Sequence, residues 1–517
     1  MICGKTIGAV LTETSRKYPH RAALVDEEHT YTYRQLDRLT DKLAGGLLGK
    51  GIRPGQHVAV LAGDSVNTLI HFYALWKLGA VVVPLCAAYL AGEIAERLRE
   101  ADADWLLCSG DGNAAGKPGL RTLPMGGDAE LRRLCGPPCA PPEEVERRKG
   151  AVRPEDTDMI LFTSGSGGAA KPVETTHFSR VHLMDLQAKL LHASEEDIFC
   201  ASLPMHHCFS LTATILAAVS VGACVCFPAD RHGVTLLETI QRRRCTVFNA
   251  VPTLFSVLLR RLEERPWDLS SLRIGLMGGS AYSPEFYMRV SEKLGCVILP
   301  SYGQTEATAG LTAASEEDPP ELRARSVGRF LPGIQGSIRD PRSGVPLPPG
   351  EIGEICVRGC GVMKGYYRRP ELTRQAIDPE GWLHTGDLGE MDEDGFLFYR
   401  GRWKELIIRG GENISPHEIE TVLKSSPRIQ AAKVVGLPDP HYIEEVCACV
   451  SGAPDITEEE VRNLAASRLA RFKVPKYVLL LPKLPMTSTG KPDVAELKRM
   501  AVRHFGLADR PGPQEER

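Results

Sequence analysis

HVAVLAGDSVNTLIHFYALWKLGAVVVPL, residues 57–85, decides how the first half of the chain folds. His57 to Ala62 is a strand-like run that ends at Gly63. Across residues 65–78, Val66, Leu69, Ile70 and Tyr73 recur on one helical face, and Gly79 supplies a stop. Ala80-Val81-Val82-Val83 reads as a second strand, Gly92 to Glu100 as a second helix and Trp105 to Cys108 as a third strand. Short apolar strands spaced by helices imply parallel sheets covered on both faces.

Outward from this unit, residues 111–156 are rich in Gly, Pro and charge and read as connecting loops. Apolar strands and helices resume from Met159 to about Pro332. From Gly333 to Tyr399 the texture is that of a small antiparallel sheet or barrel. A break falls at Gly401-Arg402-Trp403-Lys404, and a compact α+β module follows. Its strands are expected near 429–436, 444–451 and 476–481. Its helix starts at about 457, with Thr457 and Glu460 as a capping box and Val461, Leu464, Ala465 and Leu469 facing inward. The tail after Gly506 is polar and expected to be disordered over 508–517.

At about 150 residues per domain, 517 residues make about three domains, or one large and one smaller. A hydrophobic fraction of 43% with 25% charged residues excludes disorder and collagen-like repetition. The net charge of −3 provides no global field for nucleic acid or anionic lipid. Leu211 to Phe227 is apolar but interrupted by Thr, Ser and Gly, so it reads as core rather than a membrane span of about 20 residues. The start, MICGKTIGAVLTETSRKYPH, lacks the parts of a secretory signal, and a cytoplasmic location is expected. The 15 cysteines are scattered and read as small buried hydrophobes. The pairs Cys135/Cys139 and Cys356/Cys360 lie far apart in sequence with no histidine beside them, so no zinc site is expected.

Four segments carry chemistry-bearing residues. Leu161-Phe162-Thr163-Ser164-Gly165-Ser166-Gly167-Gly168-Ala169-Ala170-Lys171 offers hydroxyls, free backbone N–H groups and an ammonium, as a polyphosphate requires. A surface linker is the alternative, and Ala170 and Pro172 exclude a Walker A loop. Ser301-Tyr302-Gly303-Gln304-Thr305-Glu306 follows an apolar strand and could stack a base, touch a phosphate and hold Mg²⁺, or simply turn the chain. Gly381-Trp382-Leu383-His384-Thr385-Gly386-Asp387 presents one acid, suited to a ribose diol or to a local turn. Thr487-Ser488-Thr489-Gly490-Lys491 puts a lysine on a glycine loop that could equally be a solvated turn.

Together and in this order, these segments resemble the adenylate-forming superfamily of acyl-CoA synthetases, aryl-CoA ligases, peptide-synthetase adenylation domains and luciferases. The resemblance runs from about Thr6 to Arg503 and rests on 163–171, 301–306, 381–387, 400–420 and 485–491. It implies an α/β fold: a large N-terminal domain (1–400) of two doubly wound subdomains plus a small β-barrel-like subdomain. A hinge (401–404) would join it to a small mobile α+β C-terminal domain (405–507). It implies ATP, Mg²⁺ and coenzyme A, and formation of an acyl-adenylate with release of pyrophosphate before transfer to the thiol. It also implies a monomer or homodimer.

Residue by residue, the resemblance places Lys491 between the substrate carboxylate and the α-phosphate, Glu306 on Mg²⁺ and Thr305 on the AMP phosphate. Thr163, Ser164, Gly165, Ser166, Gly167 and Lys171 would cradle the phosphates. Tyr302 and Gly303 would line the adenine site with the backbone of Gly278, Gly279, Ser280 and Ala281. Asp387 and Arg402 would bind the ribose. His207 would stand beside the acyl site, whose walls would include Phe248, Asn249, Ala250, Gly278 and Ala309. Lys404 matches the hinge position, about which a swing would bring Arg409, Gly410, Gly411 and Glu412 toward coenzyme A.

Gly167, Ala170 and Pro172 depart from the usual phosphate loop, Ser210 stands where many relatives have Gly, and Pro492 follows the lysine. Lys491, Glu306, Asp387 and Arg402 are all present, which reads as a divergent but working member. Few charged residues fall in the expected acyl wall, with no lysine or arginine for a second carboxylate, which favours a fatty or aryl monocarboxylic acid. Two alternatives stand beside the ligase: loading of a separate carrier protein's pantetheine, and a degenerate nucleotide-binding protein.

Overall fold

The structure, a computed structural model, describes residues 4–109, 119–163, 170–409, 412–487 and 491–507. A seven-stranded sheet runs in the order Gly365–Tyr366, Lys171–Thr176, Thr157–Thr163, Val81–Leu85, His57–Leu61, Trp105–Cys108, Arg121–Pro124. Its last five strands are parallel, and the first two are antiparallel additions at one edge. Helix Val66–Leu78 begins where the Ser65 side chain accepts the Thr68 N–H and stops at Gly79, whose φ is +72°. The helix is buried all round rather than on one face, because Ile7–Lys17, Tyr33–Gly49 and Pro142–Ala151 cover its outer side. Lys77 tolerates this burial by donating to Asp37, Asp41 and Thr40 at 2.7–2.8 Å.

The reading of 111–156 as loops is corrected. Arg121–Pro124 is the sheet's edge strand, and Asp128–Leu134 and Pro142–Ala151 are helices. Only Leu131, Leu134 and Val145 are buried in the two helices, so no long apolar stripe betrays them. They are supported instead by acidic first turns, basic last turns and, in the second, a proline in the first turn.

A second parallel region joins Ala22–Val25, Cys224–Cys226 and Ile198–Cys200, with Thr30–Thr32 antiparallel at its edge. Single bridges through Val247 and Ala250 link it to Ile274–Met277 and Val297–Gly303. Between them, Leu211 to Phe227 is core as expected, although Phe209–Leu216 winds as a π-helix. The extra hydroxyl of Ser210 is absorbed there by donation to the Leu203 carbonyl at 2.6 Å.

Strands Ile334–Arg339, Gly353–Gly359, Leu383–Met391 and Leu397–Arg402 form the small antiparallel sheet. A further sheet holds Glu412–Ile414, Ile407–Arg409, Ile443–Gly452, Ile429–Asp439 and Tyr477–Leu480. Helix Glu458–Arg468 packs on it with the expected Thr457/Glu460 capping box, burying Val461 and Ala465. The whole is a mixed α/β molecule with a large N-terminal and a small C-terminal domain.

At the heart of the large domain, Arg180 is fully buried against Asp158. Its guanidinium also donates to Thr212 at 2.9 Å and Thr175 at 2.6 Å, tying the seven-stranded sheet to the π-helix. Arg180→Met would strand a buried carboxylate and is expected to destabilise the protein by about 3–5 kcal/mol in denaturant titration. A loss below about 1 kcal/mol would show that the ion pair is not what joins these elements.

Candidate active site

Strand Val297–Gly303 ends in Ser301-Tyr302-Gly303, and the 3₁₀ turn Thr305–Ala307 follows it. The adjacent small sheet contributes Asp387 and, directly across the ladder, Arg402. Arg402 donates from Nε to Asp387 Oδ1 at 2.7 Å, while the Tyr302 hydroxyl donates to Oδ2 at 2.8 Å. Asp387 is buried, and burial raises its carboxyl pKa against the opposing pull of Arg402 and the Tyr302 hydrogen bond. The neighbouring Asp387 charge in turn pushes the guanidinium of Arg402 up.

Lys491 enters from the far end of the chain. Its carbonyl accepts from Thr487 N–H at 2.7 Å and its own N–H donates to Thr487 Oγ1 at 3.3 Å, closing a tight turn at whose end it projects. Its side chain keeps a solvent-open flank, yet protein surrounds the ammonium closely enough to lower its pKa. Burial contributes most and Arg402 next, opposed by Asp387, Cys208 and Glu306. The lysine therefore lies within electrostatic reach of Asp387 and of Glu306 on the 3₁₀ turn.

Glu306 is half-buried, and its Oε1 accepts from the Tyr366 hydroxyl at 3.0 Å. Among the described residues nothing donates to Oε2, so one carboxylate oxygen remains for a cation, as the chemistry of a hard divalent ion requires. The ammonium of Lys171 stands 5.0 Å from the centre of the Tyr366 ring. Lys171 pairs with Thr163 in an antiparallel ladder, so both residues are anchored in the seven-stranded sheet. Ser164, Gly165, Ser166 and Gly167, like Gly410 and Gly411, lie outside the described residues.

Gly278 and Gly279 follow strand Ile274–Met277. A Cβ on Gly278 would come within 2.7 Å of the Ser301 carbonyl, and Gly279 has φ +87°. Ser280 is exposed and Ala281 half-buried beside them. Gly303 passes close to Ala309, which is buried in the core.

The expected acyl wall divides. Phe248 and Ala250 pack into the core of the second α/β region, with Phe248 edge-on to Phe255. The Asn249 amide donates to Ala213 O and Thr214 Oγ1 at 3.0 Å and accepts from Leu276 N–H at 2.9 Å, so it is saturated. Asn249 thereby braces the π-helix from behind. His207 lies on the site side, its ring 4.4 Å from that of His206. Burial pushes His206 down to about 4. Burial first, then His206 and Lys491, push His207 down to about 3.

In the C-terminal domain Arg409 forms a two-bond ion pair with Glu445 at 2.8 and 2.9 Å, and Glu412 is exposed. Lys404 sits exposed in the 3₁₀ turn Trp403–Glu405.

Three contributors escaped the sequence reading. Tyr366 positions Glu306, 60 residues away. The Cys208 thiol hydrogen-bonds Thr305 and feels Glu306 and Lys491. Arg231 stands close enough to His206 and His207 to lower both, which corrects the expectation of no arginine at that wall, although Asp64 pairs with it. Only Cys208, adjacent to His207, carried a sequence signal.

A family model described as AMP-binding enzyme matches residues 11–367, and one described as AMP-binding enzyme C-terminal domain matches 418–491. YngI of Bacillus subtilis, a provisionally named acyl-CoA synthetase, is 34% identical over 97% of this chain and 98% of its own. The human medium-chain acyl-CoA ligase ACSF2, mitochondrial, is 29% identical over 97% of this chain and 88% of its own. O-succinylbenzoate coenzyme A synthetase of Bacillus subtilis, solved with ATP and magnesium ion, superposes with a TM-score of 0.83 at 28% identity, covering 95% of this chain and 99% of that one.

Because His206 and His207 titrate near 4 and 3, both rings are neutral at physiological pH. Below the unfolded value of about 6.5 the unfolded chain binds protons that these rings resist, so their burial lowers stability as pH falls from there toward 4. Histidine-selective ¹⁵N NMR, with the His206 and His207 signals assigned by substitution, should show both rings staying neutral between about pH 5.5 and 8, as buried His71, His177 and His417 also should. If the His206 and His207 rings titrated with a midpoint near 6.5, the enclosed arrangement would be wrong.

Proposed function

We propose, from the premise that this chain belongs to the AMP-binding enzyme family and is an AMP-forming acid–thiol ligase, that its acid is a fatty or aryl monocarboxylate activated between Lys491 and Glu306. Such an enzyme adenylates a carboxylic acid with ATP and then forms the coenzyme A thioester. The observation that carries the residue assignment is that Lys491, from the C-terminal domain, lies within electrostatic reach of Asp387 and Glu306 of the large domain and of Arg402.

In the first half-reaction a carboxylate oxygen attacks the α-phosphorus of ATP, and the bond to the β-phosphate oxygen breaks to release pyrophosphate. Two anions must meet, and the Lys491 ammonium lies between them to stabilise the charge that develops. Asp387 and Arg402 grip the ribose, and Lys171 with the hydroxyls from Thr163 onward holds the phosphates. Glu306 is the group that would hold Mg²⁺, which when bound neutralises phosphate charge. Neutral His207 can stand beside the acyl chain without an ionic cost. In the second half-reaction the coenzyme A thiolate attacks the acyl carbon and AMP leaves. A swing about Lys404 would first withdraw Lys491 and bring Arg409 to Glu412 inward.

Two observations support the acid class. Arg231, the arginine beside the histidine wall, is already paired with Asp64, whose other oxygen accepts the Met205 N–H. The human relative is named for medium-chain acids.

Pyrophosphate release should turn over with ATP, Mg²⁺ and coenzyme A for members of a fatty and aryl monocarboxylate panel. A dicarboxylate or amino acid that outpaced them all would overturn the acid class. Lys491→Ala should cut adenylation by about 100-fold or more while sparing thioester formation from a supplied acyl-adenylate. Equal loss in both half-reactions would remove the lysine from its assigned place.

A further inference from the structure

A cluster outside the adenylation machinery joins two strands of the small sheet. Glu354 and Cys356 lie on the same face of Gly353–Gly359, two residues apart, and His384 lies across the ladder from Cys356. His384 Nδ1 is 2.8 Å from Glu354 Oε2 and 3.5 Å from Cys356 Sγ, and that sulfur is 3.9 Å from the same carboxylate oxygen. One sulfur, one nitrogen and one oxygen thus converge on a single point.

We propose that Glu354, Cys356 and His384 form a binding site for a thiophilic divalent cation, zinc by its ligand set. Tetrahedral zinc, with bonds of about 2.3 Å to sulfur and about 2.0 Å to nitrogen and oxygen, sets its ligand atoms about 3.3–3.5 Å apart. The triangle here needs His384 to part from Glu354 by about half an ångström, which follows when the ion replaces the proton they share, and Cys356 Sγ to approach the Glu354 oxygen by about 0.4 Å. Binding displaces that proton and the thiol proton of Cys356, leaving thiolate, neutral imidazole and carboxylate as ligands.

The surroundings are those of a built site. The outer ring nitrogen of His384 faces Asp378 at 3.7 Å, which selects the tautomer that leaves Nδ1 free to ligate. The other oxygen of Glu354 accepts the Gly386 N–H at 2.9 Å, so its carboxylate is already oriented. Cys356 is fully buried, while the His384 side chain is 27% exposed and leaves a path for entry and for a water in the fourth position. The nearby Arg339 is directed to Asp378 at 3.9 Å and lies over the Trp382 ring. An ion here would clip the two strands together at Gly386, immediately before Asp387, and so stiffen the backbone that presents the ribose-side carboxylate.

The test uses the full chain freed of metal by chelator dialysis and titrated with Co²⁺ alone. The wild type should develop a thiolate-to-cobalt charge-transfer band in the near ultraviolet at about one equivalent, and Zn²⁺ should bleach it. Cys356→Ser should lack the band, and His384→Gln should weaken cobalt binding at least about 10-fold. Zn²⁺ should raise the melting temperature of the wild type but not that of Glu354→Gln. A wild type without the band, or a band equally strong in folded Cys356→Ser or folded His384→Gln, would overturn the proposal. Should the serine variant fail to fold, the His384→Gln and Glu354→Gln comparisons decide.

Discussion

A carboxylate that water cannot reach must be held by the protein, and Asp387 sets that requirement for the whole site. Both its oxygens are engaged, one by Arg402 and one by Tyr302, and these partners come from different sheets. Removing either would leave charge without compensation in a medium where that is expensive. The pairing therefore fixes the small antiparallel sheet against the end of strand Val297–Gly303. It also fixes the start of the 3₁₀ turn, because Arg402 is the last residue of its strand and Trp403–Glu405 follows at once. On the proposed roles, ribose recognition and the origin of a domain swing would be one constraint.

The exit of the segment proposed to hold the phosphates fits this frame: Pro172 removes backbone freedom there by locking φ. Pro172 sits in strand Lys171–Thr176, its carbonyl accepting from Tyr367 at 2.8 Å, so the proline anchors the loop's exit where its missing N–H is tolerated. Tyr366, the neighbouring residue on the same edge strand, holds Glu306. The loop's exit and the acid on the 3₁₀ turn are therefore braced by one short strand.

What the sequence revealed divides by how local the physics is. The helix Val66–Leu78 was legible because Ser65, Gly79 and the intervening apolar spacing act within one segment. The chemistry-bearing residues were legible as motifs because each motif is contiguous. Their supports were not: Tyr366, Arg231 and Arg180 act across tens of residues, and no periodicity announces a contact made by the fold. Asn249 shows the same limit in reverse: it was expected at the acyl wall, while its saturation by Ala213, Thr214 and Leu276 depends on packing. The helices in 121–151 were hidden because charge and a proline define them more than apolar residues do.

Lys491 closes the argument because it is a cation in an unfavourable place. Burial and the adjacent Arg402 lower its pKa, and Asp387 and Glu306 only partly compensate. The ammonium would therefore gain from added negative charge, which on the proposed mechanism a carboxylate beside a phosphate supplies. Once pyrophosphate had gone and the acyl-adenylate had formed, the substrate would offer less anionic charge than before. The hold on the lysine would weaken at that step, when the proposed swing has the C-terminal domain let go so that a thiol can enter.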